Sequence, residues 1–291
     1  MFIAIFNIVA PVFILSGVGY TWVRLGFEYR IEFVTRFATS LAIPCLIFVS
    51  LMQAEINPNI LGKFIGAVFM TYLLLGGLAF VFVKSFRLQP RTYLMPLISG
   101  NTGNLGLPLC LFAFGDLGLS YGILIFAGTS LVAFTVGIWV VAGGGSFKRL
   151  LQEPLVAATC LGLLFMWQGW HTPVFLTNAL SLIGQMGIPM MLITLGVAIS
   201  RLEVTEVLRA VFLSLSKIAM GVFSACFIIW LFDLDPMAAS VLILQFSMPI
   251  AVTSYLLAEK YGAKAEAVAG LVVTSTALTI AILPMVLYFI L

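Results

Sequence analysis

Charged side chains are scarce in this chain. Its 14 Lys and Arg and 11 Asp and Glu make up 9% of 291 residues, and it has a single histidine. A soluble globular protein carries about 25% charged residues, so this sequence lacks the groups needed to cover a water-facing surface. A soluble enzyme, a nucleic-acid-binding protein and a disordered protein are therefore excluded. The four cysteines show no CxxC spacing, and the sequence predicts neither a metal centre nor catalytic residues.

Apolar residues, in contrast, make up 62% of the chain, and the mean hydropathy is +1.19. They form continuous runs of about 20 residues, the length of a membrane-spanning helix. The alternating pattern of a transmembrane β-barrel is absent from the sequence. The first 23 residues hold no basic residue before Arg24, so we expect this segment to be a retained span and not a signal peptide. The composition predicts an all-α polytopic membrane protein.

Ten hydrophobic segments follow one another through short connections, and their predicted ranges are 2–24, 32–54, 60–85, 90–115, 118–142, 154–170, 174–200, 206–232, 236–261 and 264–291. They are numbered spans 1 to 10 below. None of the connections is long enough for a soluble domain. The longest polar link contains GGGSFKR and lies at the middle of the chain.

Basic residues are distributed unequally between the two sides that ten spans would create. Twelve of the fourteen lie in the loops after odd-numbered spans or at the adjoining helix ends, namely Arg24, Arg30, Arg36, Lys84, Arg87, Arg91, Lys148, Arg149, Arg201, Arg209, Lys260 and Lys264. On the opposite side only Lys63 occurs. Because basic loops stay in the cytoplasm, we expect a multi-pass protein of the cell (inner) membrane with cytoplasmic odd-numbered loops and both termini outside.

The chain also shows a weak internal repeat. A shift of 145 residues places span 2 on span 7 and spans 3 to 5 on spans 8 to 10, and Ile43-Pro44 falls on Ile188-Pro189. Halves 1–146 and 147–291 would each contain five spans, so they would insert with opposite orientation. Two inverted five-helix repeats are a plan of secondary transporters.

Span 4 has a composition that is unusual for a straight helix, because GNTGNLGLP concentrates glycine, asparagine and proline in mid-membrane. Gly100 and Gly103 weaken a helix, and Pro108 removes a hydrogen bond to the carbonyl of Asn104. Asn101 and Asn104 share a helical face. The sequence predicts a broken helix with polar groups at the break.

Span 9 contains a corresponding break in LQFSMPIAVTSY. Pro249 is expected to free the carbonyl of Gln245, and Ser247 and Thr253 flank it. Irregular backbone at this depth requires burial in protein or contact with water. Paired breaks in the two halves are typical of a transporter's binding site.

These stretches resemble the auxin efflux carrier (PIN-like) family, including its bacterial members. The resemblance covers the whole chain, through PVFILSGVGY, LAIPCLIFVSL, GNTGNLGLPL and MPIAVTSYLLAEKYG. It implies a ten-helix fold, shared with sodium–bile acid symporters, in which broken helices 4 and 9 cross. It also implies scaffold helices at about 2–54 and 154–200, transport helices at about 60–142 and 206–291, a homodimer, and organic anions as substrates.

The resemblance further assigns roles to individual residues. Asn101 and Thr102 match the Asn-Thr pair that helps to hold the substrate carboxylate in plant members. An acid and a lysine at the head of the third helix in plant members fall on Asn59 and Lys63, so the acid is missing here. No long central cytoplasmic loop is present, so we expect no regulation through such a loop.

Lys217 is the basic residue that lies near the middle of a span. A charge there costs about 3 kcal/mol and is commonly functional. We expect it either to attract an anion to the crossover or to act as a strut that donates to exposed carbonyls. Acidic residues lie only near span ends, so we expect no carboxylate-based proton relay. A sodium ion could bind oxygens of Asn104 and Gln245; no other metal or cofactor is predicted.

Together these observations predict a permease of small organic anions, carboxylates or auxin-like compounds, that works by elevator-type or rocking alternating access. Its substrate-binding candidates are Asn101, Thr102, Asn104, Lys217, Gln245, Ser247 and Thr253. The main alternative is a sodium-coupled symporter of the bile-acid type. An intramembrane enzyme, a receptor and a channel are further alternatives. The sequence contains no HExxH motif, no intramembrane acidic cluster and no signalling domain in favour of an enzyme or a receptor.

Overall fold

The computed structural model describes residues 2–54, 56, 58–142, 154–202 and 206–291, and this part of the chain is helical throughout apart from its links. Seven of its helices are long and apolar enough to cross a membrane: 3–24, 31–52, 60–85, 102–141, 174–201, 207–232 and 265–290. Helices 154–168 and 236–246 are apolar but shorter. The fold class is therefore that of an all-helical membrane protein. The Asn59 side chain, Lys148 and Arg149 lie outside the described residues.

The helices are numbered here in chain order. They are α1 (Phe2–Arg24), α2 (Ile31–Phe37), α3 (Ile43–Met52), α4 (Pro58–Ser85), α5 (Pro90–Ile98), α6 (Leu107–Val132), α7 (Ile138–Ala142), α8 (Pro154–Gln168), α9 (Val174–Gln185), α10 (Gly187–Arg201), α11 (Val207–Phe232), α12 (Pro236–Phe246), α13 (Val252–Lys260) and α14 (Ala265–Ile290). Single π-helical turns at Ala38–Ala42, Thr102–Gly106 and Ala133–Gly137 precede α3, α6 and α7.

Two of the π-helical turns lie directly before a proline. Ala38–Ala42 precedes Pro44, and Thr102–Gly106 precedes Pro108. Proline lacks the N–H that would close an α-helical turn, and a wider π turn is one way for a helix to continue past such a site. The helix axis therefore continues through both prolines.

A reversal at Gly115 separates the predicted spans 4 and 5, so that α6 consists of two helical halves. Gly115 has φ 66° and ψ −158°, a conformation that favours glycine. Beyond it, a Cβ added to Gly122 would lie 3.0 Å from the sulfur of Cys110. In a straight helix these two residues would be about 18 Å apart. The chain therefore folds back on itself at Gly115.

Helices α1, α3, α8, α9 and α10 pack together, and we call them with α2 the first helix group. Helix α1 packs on α10, and α3 packs on α8 and α9. The contacts use glycine: a Cβ on Gly19 would lie 2.0 Å from the carbonyl oxygen of Ile193, and one on Gly196 would lie 1.8 Å from that of Ser16. Such close backbone approach is common between helices in membranes. Small residues allow close van der Waals packing there, which stabilises helix pairs where no hydrophobic driving force acts between them.

The remaining helices, α4 to α7 and α11 to α14, form the second helix group. Helix α11 packs on α4, α12 and α14, and α12 also packs on α6. The two groups touch where α1 meets α6 and α14, where α3 and α8 meet α6, and where α10 meets the π turn at Thr102–Gly106.

Hydrogen bonds between elements fall almost entirely inside one group or the other. Arg201 and Thr194 bond Tyr29 inside the first group, and Arg91 bonds the carbonyls of Val141 and Tyr261 inside the second. Among the hydrogen bonds found in the described part of the chain, one crosses between the groups. It runs from the Ser120 hydroxyl to the Ser50 carbonyl, with oxygens 3.4 Å apart.

Candidate functional site

Two helix interruptions lie side by side in the second helix group. The chain leaves α5 at Ser99 and becomes helical again at Thr102, and it leaves α12 at Ser247 and becomes helical again at Val252. The two extended segments pair in antiparallel fashion at Gly100 and Ile250. Two main-chain hydrogen bonds hold them, from Asn101 to the Pro249 carbonyl at 2.7 Å and from Ala251 to the Ser99 carbonyl at 3.1 Å. These segments are called the crossover below.

The interruptions differ in detail from the sequence prediction. The first precedes Pro108, which lies within the N-terminal turn of α6, because the π turn accommodates this proline. The second does contain Pro249. The carbonyl of Gln245 is not freed, since it accepts from the N–H of Met248 at 3.3 Å.

The 145-residue shift expected from the sequence does not hold through the whole crossover. Both half-helices before the breaks begin with proline, Pro90 and Pro236, a shift close to the expected 145 residues. After the breaks, however, Asn101 corresponds to Ala251 as the residue preceding the new helix, a shift of about 150. The second break therefore comes later in its half of the chain than a uniform shift predicts.

Lys217 reaches the crossover from α11. Its side chain is 1% exposed, and its ammonium group donates to the carbonyl of Met248 and, over 3.4 Å, to that of Phe246. The Phe246 carbonyl ends α12 and Met248 follows two residues later, so the ammonium lies at the C-terminal end of this helix, where its partial negative charge favours a cation. The strut role considered from the sequence is thus present in the structure.

Gly100 lets the backbone of the first interruption lie close to this ammonium group. A Cβ at Gly100 would lie 3.2 Å from the nitrogen of Lys217. Any larger residue would therefore press against the charged group. Glycine leaves the Lys217 nitrogen facing the extended backbone of the first interruption.

Asn101 has an amide group that makes no hydrogen bond through its nitrogen. The residue is 4% exposed, and Nδ2 has no partner in the described part of the chain. The hydroxyls of Ser99 and Ser254, which flank the two breaks, are buried and unpartnered in the same way. An unmade buried hydrogen bond costs about 1–3 kcal/mol. Several donors are thus available for a bound molecule at the crossover.

Thr102 belongs to a directed set of hydroxyl hydrogen bonds. The Thr129 hydroxyl donates to the carbonyl of Ile125 at 3.0 Å, so its single proton is used. It must then accept from both Thr102, at 2.8 Å, and Tyr72. Thr102 therefore offers only oxygen lone pairs to a ligand in this arrangement.

Gln245 is fully buried between the two halves of α6. Its amide nitrogen donates to the sulfur of Cys110 at 3.3 Å, and its Oε1 has no hydrogen-bond partner among the described residues. Room for it depends on small neighbours, since a Cβ on Gly106 would lie 2.1 Å from that Oε1 and one on Gly122 3.0 Å from the nitrogen. Gln245 thus fills a space that glycine provides.

The other predicted residues occupy varied positions. Ser247 is buried and donates to the carbonyl of Leu244 at 2.7 Å, Asn104 is half-buried in the π turn, and Thr253 is exposed on α13. A Cβ on Gly103 would lie 2.6 Å from the ring of Phe126, so this glycine serves packing. The structure therefore groups Asn101, Thr102, Gln245, Ser247 and Lys217 more closely around the buried crossover than Thr253.

Sequence reasoning missed Ser275 and Thr129. The hydroxyl of Ser275 in α14 accepts from the main-chain N–H of Ile250 at 3.0 Å, a donor that the extended backbone would otherwise leave unpaired. Both residues stand in apolar spans, Ser275 within VTSTALT. A search for buried hydroxyl residues at the depth of the breaks would have found them.

A separate cavity of about 340 Å³ opens at the head of α4, beyond the crossover residues. It is lined by Ile60, Lys63, Asp233, Leu234, Asp235 and Pro236. The ammonium of Lys63 donates to the carbonyl of Asp233 at 2.5 Å. Lys63, which the resemblance singled out, thus joins α4 to the end of α11.

The electrostatic character of the crossover is that of one cation among neutral polar groups. The described acidic residues lie at helix ends or in links, namely Glu28, Glu32, Asp116, Glu206, Asp233, Asp235, Glu259 and Glu266. In this part of the chain no group of His, Cys, Asp and Glu could hold a metal ion. The arrangement is chemically suited to holding an anion and offers no catalytic pair.

Comparison with known proteins gives a consistent assignment. A family model described as "membrane transport protein" matches residues 4–143 and 139–288. An uncharacterized transporter of Methanocaldococcus jannaschii is 23% identical over 95% of this chain and 96% of its own length. One of Methanothermobacter thermautotrophicus is 28% identical over 95% of each chain. The chain therefore belongs to the membrane transport protein family, that of the auxin efflux carriers.

Proposed function

We propose that this protein is a secondary transporter of small organic anions, carboxylates or auxin-like compounds, with its binding site at the crossover. The observation that carries the proposal is the unpartnered amide nitrogen of Asn101, buried where two helices are interrupted. A carboxylate accepts such a donor, and a charge-assisted bond is about twice as strong as a neutral one.

Backbone polarity at the crossover favours the same ligand. The helices that begin at Thr102 and Val252 each direct first-turn N–H groups toward the break. Helix N-termini attract anions through these donors and their partial positive charge. A protonated Lys217, whose nitrogen bonds the Phe246 carbonyl, would add a positive charge to the same region.

Alternating access is supported by burial. Asn101, Thr102, Gln245, Ser247 and Lys217 are all below 5% exposed. A substrate can therefore reach them only when helices move apart, and a carrier must open alternately to the two sides. This is the behaviour expected of a transporter built from inverted repeats with a site at their interface.

An elevator motion is the form of alternating access that the hydrogen bonds favour. Among the described residues, hydrogen bonds within each helix group are numerous, whereas one weak bond, between Ser120 and Ser50, joins the groups. Sliding the second group along the first would break this hydrogen bond and would exchange the packing contacts between the groups. We assign the scaffold role and the homodimer contacts to the first group, and the transport role to the second. The protein would lie in the inner membrane, with the basic odd-numbered loops in the cytoplasm.

Sodium coupling is the second candidate, and the free acceptors favour it. Gln245 Oε1 is buried without a partner, and Thr102 has only lone pairs to offer. Sodium prefers such neutral oxygen ligands, as other hard cations do. A sodium-coupled symporter would use them beside the carboxylate.

Uptake into proteoliposomes tests both candidates. Purified protein is assayed with labelled malonate, malate and indole-3-acetate, with and without a sodium gradient. Saturable uptake of at least one anion is expected, with a loss of about tenfold or more in Asn101→Ala, since one charge-assisted hydrogen bond is removed. Asn178→Ala, at an exposed position of α9, is the matched control and should transport normally. Absence of uptake by active, monodisperse wild-type protein would overturn the proposal.

A further inference from the structure

Lys217 has no acidic partner within the part of the chain that the structure describes. The ion pairs found there are Arg30–Glu28 and Arg209–Glu206, both at helix ends. The two groups bonded to the Lys217 ammonium are neutral carbonyls, those of Phe246 and Met248. A protonated lysine at this site is therefore a net charge inside the second helix group.

Moving a net charge through the membrane is costly, and pairing it with a counter-charge removes most of the cost. The ammonium group has three N–H donors, and two of them point at carbonyls. The nitrogen also faces Gly100, where no side chain intervenes. A substrate anion bound at the crossover through Asn101 would lie next to this charge.

From this geometry we infer that the substrate is a monoanion, whose single negative charge is balanced by Lys217 so that the loaded transport group crosses the membrane uncharged. The inference rests on the proposed function, since it requires that anions bind at the crossover. A dianion would carry one uncompensated charge through the membrane. The empty transport group would carry one positive charge, and its return would be the step that responds to membrane potential.

Two consequences can be measured. Of two substrates of similar size, the one with a single negative charge should be transported better. At pH 7.5 malonate is a dianion and monomethyl malonate is a monoanion, so kcat/KM should be at least about tenfold higher for monomethyl malonate. Exchange of labelled for unlabelled monomethyl malonate uses only the loaded form, so its rate should not change with membrane potential. Net uptake, which includes the return of the empty form, should change.

The experiment uses wild-type protein, Lys217→Gln, Lys217→Arg and Lys84→Gln in proteoliposomes whose potential is set by potassium and valinomycin. Lys84 is an exposed cation at the end of α4 and is the matched control. In Lys217→Gln the loaded form is an anion, and exchange should become potential-dependent, by up to about 50-fold per 100 mV for a full charge translocation. Lys217→Arg keeps the positive charge, so its exchange should stay independent of potential whatever its rate. Lys84→Gln should behave as wild type.

The outcomes separate the two proposals. If wild-type protein takes up no carboxylate, the proposed function is wrong, and the inference falls with it. If it takes up carboxylates but prefers malonate, or if its monoanion exchange depends on potential, the inference alone is overturned. The same holds if Lys217→Gln keeps exchange independent of potential. A purely structural role for Lys217 would change protein stability and transport rate, but not the potential dependence of exchange.

Discussion

Asn101 donates its main-chain N–H to the carbonyl of Pro249 at 2.7 Å, and this bond joins the interruption of one half of the chain to that of the other. Pro249 has no N–H, so it cannot donate a main-chain hydrogen bond back to Asn101. The reciprocal bond comes from Ala251 to Ser99. Because the breaks are bonded to each other, they move as one unit, and any substrate held there moves with both.

Close packing of α1 on α10 predicts an asymmetry between two neighbouring glycines. In Gly19→Ala the new Cβ would meet the Ile193 carbonyl oxygen at 2.0 Å, which forces the helices apart. A destabilisation of about 1–3 kcal/mol is expected. Gly17→Ala, whose Cβ would have no neighbour within 4 Å, should be neutral or slightly stabilising. Thermal unfolding of both variants in the same detergent measures the difference, and equal midpoints would contradict the packing described.

The space around Gln245 predicts a rescue experiment. Gly106→Ala places a Cβ 2.1 Å from Gln245 Oε1 and should lower stability by about 1–3 kcal/mol. In protein that already carries Gln245→Ala, the same Gly106→Ala change should lower stability much less, because the side chain that it meets has been shortened. The effects of substitutions at contacting residues are not additive. A double-mutant cycle by thermal unfolding provides the test. Additive effects would show that the two residues do not share this space.

Much of the fold follows from the sequence because its signals are local. Runs of apolar residues marked the spans, and the Gly, Asn and Pro content of GNTGNLGLP and SMPIA marked the two breaks. The first break was nevertheless assigned to Pro108, whereas a π turn carries the helix past this proline. A single residue's rule cannot show such a compensation, since it depends on how the whole turn is hydrogen-bonded.

The residues that support the site were harder to predict for a different reason. Thr129 and Ser275 act through partners far away in sequence, at Thr102 and Ile250. Their type alone fits any membrane helix, where a hydroxyl commonly bonds its own helix backbone. Lys217 was recognisable because a charge in a span is rare, but its carbonyl partners only became evident once α11 and α12 were placed side by side.

Loss of the Ser275 hydroxyl should destabilise the protein more than loss of the neighbouring Thr276 hydroxyl. Ser275→Ala would leave the N–H of Ile250 buried without an acceptor and should cost about 1–3 kcal/mol. Thr276→Val removes a hydroxyl whose described bond is to its own helix, at the Val272 carbonyl, and should change stability little. Unfolding midpoints and uptake rates of the two variants are to be compared. If Thr276→Val is as damaging as Ser275→Ala, the bond to Ile250 is not what Ser275 contributes.

A crosslink between the two helix groups tests whether they move relative to each other during transport. Ser50 and Ser120 form the one hydrogen bond found between the groups in the described residues. With the four native cysteines replaced by serine, cysteines at both positions can be crosslinked by oxidation or by a short bifunctional reagent. An elevator requires the groups to slide, so crosslinking should stop uptake, and cleavage of the link should restore it.

The control for this experiment is a link inside one group. Met52 and Thr172 are 3.7 Å apart, from Sδ to Oγ1, and both belong to the first helix group or its connecting link. Cysteines at these two positions should crosslink without loss of uptake, because that group is expected to stay fixed. If the link between Ser50→Cys and Ser120→Cys forms fully and transport continues at the original rate, sliding at this interface is refuted. A hinge motion that leaves these residues in contact would then replace it.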